Sequence, residues 1–218
     1  MDKKPVTAAD SSRPVIYLAS RSPRRADILQ QLGVQFTVLP SDIDESQLAG
    51  EQPEAYVLRL ATQKAQACAK LVNTNGMRDL PILAADTTVS LDGLILGKPV
   101  DDEDARNMLR RLSGSWHEVH SGVGLATQQG VVSAISSTRV QMAELSDAMI
   151  AAYIATGEPR DKAGAYGIQG LAGTFIRRIE GSYSGVMGLP IYETAELLGE
   201  AGISILGMHS NEHAAARG

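Results

Sequence analysis

Val15-Ile-Tyr-Leu-Ala-Ser-Arg-Ser-Pro-Arg-Arg25 sets the architecture of this chain. A short apolar run over Val15–Ala19 reads as a buried strand. Ser22 and Pro23 then open a helix, Ser as N-cap and Pro in the first turn, and Gly33 closes it after Leu32. A second strand follows over Gln35–Leu39. Further along, Pro53–Val72 is a long helix, Ile82–Val89 a strand, and Asp92-Gly93 a hairpin turn. Asp101–Leu112 is a helix with acids in its first turn, as the dipole favours. Glu118–Ala126 and Val131–Gln141 form a second hairpin turning near Gln129-Gly130. Ser146–Ala155 is a helix, residues 157–173 a glycine-rich loop, Thr174–Ile179 a strand and Leu189–Gly199 a closing helix. Hairpins mixed with helical crossovers predict an α/β fold with a mixed sheet.

The bulk properties bound the rest. The chain has 218 residues and 44% hydrophobic content, enough for one sizeable core or two small lobes sharing a cleft. No apolar run is long enough to span a bilayer, and the polar N-terminus has no signal-type stretch, so membrane association is not expected and cytoplasmic residence is. One cysteine, Cys68, excludes an internal disulfide and a cysteine-rich metal site. A net charge of -5 and a pI near 5.4 argue against a nucleic-acid binder. Residues 1–13 are expected to form a disordered leader, 14–206 a single domain and 207–218 a flexible tail.

Against that acidic background, charges in particular places need a cause. Ser20, Arg21, Ser22, Arg24 and Arg25 cluster at a helix start, where backbone N–H groups already favour anions. Three arginines there oppose the dipole. Either an anion binds, or the arginines pair with nearby acids on a solvated surface. On the long helix, Lys64 falls within the apolar stripe of Val57, Leu60, Ala61, Cys68 and Leu71. It must snorkel to water or meet a negative group. Asp86 interrupts the apolar strand Ile82-Leu-Ala-Ala-Asp-Thr-Thr-Val89. A buried carboxylate costs several kcal/mol unless compensated. It is read as a metal ligand or general base at a sheet edge facing a cleft, or as a structural ion pair with Lys64 or Lys98. Gly97-Lys-Pro99 holds Lys98 on a turn. Asp42, Asp44 and Glu45 form an acidic loop that suits Mg²⁺ or Mn²⁺, or is simply solvated.

Several chemistries are absent. The only Gly-Lys is followed by Pro99, so there is no P-loop. Gly122-x-Gly124 lies within a strand and opens no helix, unlike a dinucleotide fingerprint. Gly181-Ser-Tyr-Ser-Gly185 imitates a nucleophile elbow but centres on Tyr183. His117 and His120 face opposite sides of a strand and make a poor zinc pair. Water activated by metal and carboxylate is left as the nucleophile.

Taken in order, Leu18-Ala-Ser-Arg-Ser-Pro-Arg-Arg25, Arg59-Leu-Ala-Thr-Gln-Lys-Ala65, Ala85-Asp-Thr87, Gly97-Lys-Pro99, Leu112-Ser-Gly114 and Lys162-Ala-Gly-Ala-Tyr-Gly-Ile-Gln-Gly170 resemble the Maf family of nucleotide pyrophosphatases, also called septum formation inhibitor proteins. The resemblance covers residues 14–206. It implies a Maf- and ITPase-like fold: a strongly twisted mixed sheet with flanking helices, two lobes around a central cleft, and a homodimer. Ser-Pro-Arg-Arg, Ala-Asp-Thr and Ala-Tyr-Gly-Ile-Gln-Gly resemble the branch acting on dTTP and UTP rather than the one acting on 7-methyl-GTP. The resemblance implies Asp86 as proton acceptor and Arg24, Thr87 and Gln169 as residues setting substrate preference. It also implies phosphate or metal contacts from Ser20, Arg25, Glu45, Lys64 and Lys98, with Mg²⁺, Mn²⁺ or Co²⁺ bound by Asp86 and Glu45. Arg21 stands where the family commonly has a small residue. The competing expectations are the same chemistry on 7-methyl-GTP or on a modified pyrimidine nucleotide, and a non-catalytic nucleotide-binding regulator of cell division.

Overall fold

The computed structural model describes residues 15–205. The leader and tail expected at 1–13 and 207–218 lie outside them. Seven strands form one mixed sheet: β1 (Ile16–Leu18), β2 (Phe36–Val38), β3 (Ile82–Leu91), β4 (Leu94–Leu96), β5 (Trp116–Thr127), β6 (Gly130–Met142) and β7 (Ile176–Glu180). The order is β2-β1-β3-β5-β6-β7, with β4 folded back on β3. β1 is parallel to β2 and β3; every other pairing is antiparallel. The helices are α1 (Pro23–Gln31), α2 (Pro53–Thr74), α3 (Asp102–Leu112), α4 (Asp147–Ala155), α5 (Tyr183–Met187) and α6 (Ile191–Glu200).

β3 is the axis of the molecule. Its N-terminal half is covered on both faces, as its unbroken run of buried residues requires. Leu83 and Ala85 pack with Ile28, Leu29, Leu197 and Leu198 of α1 and α6. Ile82 and Ala84 pack with Ala65, Cys68 and Val72 of α2. At the other end Val89 joins a separate cluster with Leu109 and Leu112 of α3, Ile150 and Tyr153 of α4, and Tyr166. These cores at the two ends of one strand give the two-lobed arrangement, and Asp86–Thr88 lie at the junction.

The pairing of β3 explains how a central strand presents an edge. On one side β5 runs alongside continuously from Ile82 to Ser90. On the other, β1 pairs only with Ile82 and Leu83, and β4 pairs only from Val89 onward. Ala84–Thr88 therefore have no strand neighbour on that side among the described residues. The sheet edge expected for Asp86 is this internal gap.

Gly122-x-Gly124 also has a structural role. A Cβ on Gly122 would sit 2.6 Å from the Val57 carbonyl oxygen, and one on Gly124 3.0 Å from that of Ala61. Without side chains there, α2 lies directly on β5. Gly122 is the partner of Asp86 in the sheet, so the face on which α2 sits is the face to which Asp86 points.

Some expectations are corrected. Ser22 holds the N-cap position of α1, but its side chain makes no cap bond. The second hairpin turns at Gln128-Gln129, because Thr127 already pairs with Gly130. The glycine-rich loop is not irregular throughout: it winds into short 3₁₀ turns over Glu158–Asp161, Ala163–Ala165 and Leu171–Phe175. α5 was not expected at all. Ser182 creates it by accepting a hydrogen bond from the Gly185 N–H as an N-cap.

Candidate active site

α2 delivers Lys64 to Asp86. The ammonium Nζ lies 2.6 Å from Asp86 Oδ1 and 2.8 Å from Glu45 Oε1. Lys64 does not snorkel to water. It meets two carboxylates, one from β3 and one from the loop after β2. Burial acts against ionisation of Glu45, but the Lys64 hydrogen bond and charge, reinforced by Lys98 and Arg25, hold its carboxyl below the usual range.

The loop carrying Glu45 is tied to α2. Arg59 Nε and Nη2 grip the Glu51 carboxylate at 2.6 and 2.8 Å, and Nη2 also donates to the Ser46 carbonyl. The Tyr56 hydroxyl donates to the Glu45 carbonyl at 2.9 Å, and Ser41 Oγ to that of Lys64 at 3.0 Å. The three acids of this loop do not gather. Asp42 pairs with Arg21, both exposed, and Asp44 accepts from the Ser46 N–H. Only Glu45 reaches the centre. Among the described residues there is no cluster of three His, Cys, Asp or Glu that could hold a metal.

On the opposite face of the sheet stands Thr87, one residue on. Arg25 of α1 reaches it with Nη2 at 3.2 Å, while Nη1 donates to Ser20 Oγ at 3.1 Å and Nε to the Gly188 carbonyl at 2.8 Å. Burial lowers the affinity of this guanidinium for its proton and the charge of Asp86 raises it; arginine stays a cation under any working condition. Gly188 closes α5 at φ 114°, in the left-handed region that favours glycine, with the Cβ position at ordinary contact distance from Thr87 Oγ1 and Arg25. Ser121 Oγ lies 2.7 Å from Thr87 Oγ1 and donates to the Gly185 carbonyl.

The remaining cations ring the opening. Arg24 Nη1 lies 3.3 Å from Asp161, which also accepts from Lys162 Nζ at 2.6 Å. Lys98 is exposed and makes no ion pair among the described residues. Arg21 turns to Asp42, so the pairing of arginines with nearby acids holds for Arg21 and Arg24, but not for the half-buried Arg25. One cavity of about 460 Å³ gathers Ser20, Arg24, Arg25, Glu45, Lys64, Asp86, Thr87, Lys98 and Gln169 from separated segments. The same cavity holds residues to which the sequence pattern gave no role: Tyr56, Asp161, Lys162 and Gly188. Tyr56 had a signal, since it precedes Lys64 by eight positions and so shares its helix face. Gly188 had a weaker one, a glycine followed closely by the proline of Leu189-Pro190. Asp161 had none. His117 and His120 serve elsewhere: His117 Nε2 binds the Tyr166 hydroxyl, and His120 lies between Ser90 and Ser137.

A family model described as Maf-like protein matches residues 15–201. The chain belongs to the Maf-like family. A protein of Methylobacillus flagellatus named dTTP/UTP pyrophosphatase is 61% identical over 88% of this chain and 95% of its own length. Proteins of the same name from Chromobacterium violaceum and Bordetella pertussis are 54% and 52% identical, over 87% and 91% of this chain and 96% and 97% of theirs. Among solved structures, the Staphylococcus aureus Ham1 protein is similar over 59% of this chain and 72% of its own, at 16% identity and a TM-score of 0.42.

In this Maf-like chain, Asp86 and Glu45 are the side chains that could hold a divalent cation. Both already satisfy the same ammonium, so their oxygens converge. Two carboxylates are few for calcium but fit magnesium or manganese, which complete their coordination with water and substrate phosphates.

Proposed function

We infer that this chain is a pyrophosphatase that hydrolyses dTTP and UTP to the monophosphate and pyrophosphate. The reading rests on the names of relatives with at least 52% identity over most of both chains. The observation that carries it is the cavity in which basic groups from α1, α2 and the β4–α3 loop face the Asp86 and Glu45 carboxylates.

The residues divide the work. A triphosphate brings about four negative charges, and Arg24, Arg25, Lys64 and Lys98 offset them. Arg25 is fixed by three acceptors, so it needs no reorganisation to hold a phosphate. Asp86, with one oxygen on Lys64, is the proton acceptor for the attacking water at the α-phosphorus. The cations then stabilise the charge that grows on departing pyrophosphate. A divalent ion such as Mg²⁺, Mn²⁺ or Co²⁺, held by Asp86 and Glu45, would supply Lewis-acid polarisation of the phosphoryl oxygens. Gln169 donates and accepts at once, which suits a pyrimidine edge carrying both carbonyl and N–H. Arg24 and Thr87 share the preference for that base. A homodimer and cytoplasmic residence belong to the same reading; no helix of the described residues is long and apolar enough to cross a membrane.

The test is a panel of dTTP, UTP, CTP, GTP and 7-methyl-GTP assayed with each of the three metals, identifying the monophosphate and pyrophosphate. Preference for 7-methyl-GTP rejects the substrate class. Release of orthophosphate rejects attack at the α-phosphorus. Binding without turnover supports a regulator instead.

A further inference from the structure

Gln169 sits in a loop outside every strand and helix, yet a base-reading amide must be held to within a fraction of an ångström. The structure holds that loop on both sides of Gln169. The two residues at the centre of the ties, Tyr153 and Glu158, do not line the cavity.

On the N-terminal side, the Gly167 N–H donates to the Tyr153 hydroxyl at 3.3 Å. The aliphatic stem of Lys162 fills the space beside Gly167, where a Cβ would sit 2.6 Å from Lys162 Cε. On the C-terminal side, the Glu158 carboxylate accepts from the Leu171 N–H at 2.9 Å and the Ala172 N–H at 3.5 Å. That carboxylate also lies against Gly170, so a side chain there would have to push it off its bonds. The two ties are one unit, because the Tyr153 hydroxyl donates to Glu158 Oε1 at 2.9 Å. Lys162 Nζ completes it with a 2.6 Å bond to the Glu158 carbonyl. Tyr153 itself is buried in the core of the α3–α4 lobe, against Phe175. The frame for the loop is therefore that lobe's core.

We propose that Glu158 and Tyr153 are positioning residues for substrate specificity: together they hold residues 167–172 so that Gln169 presents its amide to the base. The proposal rests on the reading that Gln169 recognises a pyrimidine edge. Glu158 acts through the backbone N–H groups around Gln169 and touches no substrate. Losing it hands the exposed Leu171 N–H to water, leaves the N–H of buried Ala172 without this acceptor and frees the loop.

The test compares dTTP with dCTP, which share sugar, triphosphate and ring size and differ at the edge a glutamine amide would read. The quantity is the ratio of kcat/KM for dTTP to that for dCTP. It is measured in the wild type, Glu158→Ala, Gln169→Ala and the double variant. The wild type should favour dTTP, and Glu158→Ala should reduce the ratio by about tenfold or more. Because both single changes disable one contact, the double variant should lower the ratio no further than Gln169→Ala alone. Tyr153→Phe removes only the bridging hydroxyl; it should lower the ratio in the same direction and stands in if Glu158→Ala does not fold. Equal losses on both nucleotides, an unchanged ratio or additive effects in the double variant would overturn the proposal. A wild type with no preference between the two would overturn the pyrimidine-edge reading beneath it, whereas a selective wild type with selective variants sinks only the positioning role.

Discussion

Lys64 Nζ and Asp86 Oδ1 stand 2.6 Å apart across the contact between α2 and β3, with side chains 12% and 11% exposed. At that burial each charge depends on the other, and Glu45 is the only further acid on the ammonium among the described residues. Asp86→Asn keeps the shape and a hydrogen-bonding oxygen but removes the proton acceptor. Pyrophosphate release should fall by about 10²–10⁴-fold. Since Glu45 still neutralises Lys64, the variant should stay folded, with its circular dichroism spectrum unchanged. Turnover near the wild-type rate would remove Asp86 from the mechanism.

Much of this centre is legible from local pattern. Lys64 and Asp86 each break a hydrophobic periodicity, and a charge within an apolar stripe marks itself in the sequence alone. The strand and helix series is legible for the same reason: each element carries its own period and its own punctuation. The partners are not. Nothing in the acidic loop distinguishes Glu45 from Asp42 and Asp44. The choice is made by Arg59 and Tyr56, which fix the loop on α2 through contacts thirteen and eleven residues apart in sequence. Asp161 and Gly188 are likewise defined by distant neighbours, Arg24 and Arg25. α5 escaped notice because a helix of five residues is too short to show a period.

Arg25 serves three acceptors at once, and only a planar fork can do so. Arg25→Lys preserves the charge but not the geometry. We expect about a hundredfold loss in kcat/KM for dTTP, with little change in net surface charge or solubility. A lysine variant within twofold of wild type would show that charge alone suffices.

Arg59 lies outside the cavity, yet it holds the Glu51 carboxyl down to about 2 and pins the chain that carries Glu45. Arg59→Ala should loosen Glu45 and raise the apparent Kd for Mn²⁺ about tenfold. kcat at saturating metal should change far less. Activity titrated with Mn²⁺ separates the two; an unchanged midpoint would remove the clamp from the metal site.

His117 is buried, its Nε2 on the Tyr166 hydroxyl and its Nδ1 without a partner among the described residues. Burial lowers its pKa to about 4 from the ordinary 6.5. The unfolded chain therefore binds this proton more readily than the folded one. The stability from keeping His117 neutral is complete above pH 6.5 and lost as pH falls towards 4. Integrated over that window it amounts to about 3 kcal/mol. Urea denaturation should show this fall in the wild type, and His117→Gln should flatten it. An identical slope in the variant would assign the acid limb to other groups.

Gly122 lets α2 touch the sheet directly opposite Asp86. An alanine Cβ would meet the Val57 carbonyl oxygen at 2.6 Å, and a backbone atom cannot swing aside. The helix must lift, and Lys64, two turns further along it, must move with it. Gly122→Ala should cost about 2–3 kcal/mol in stability and also reduce activity, since the Lys64–Asp86 contact is stretched. Gly199→Ala is the control: it lies in α6 with nothing within 4 Å of the added methyl, so it should be neutral or about 0.5 kcal/mol stabilising. Thermal denaturation and dTTP turnover on both variants decide the matter. If Gly122→Ala were as stable and as active as Gly199→Ala, the close approach of α2 would not be what aligns the lysine with its carboxylate.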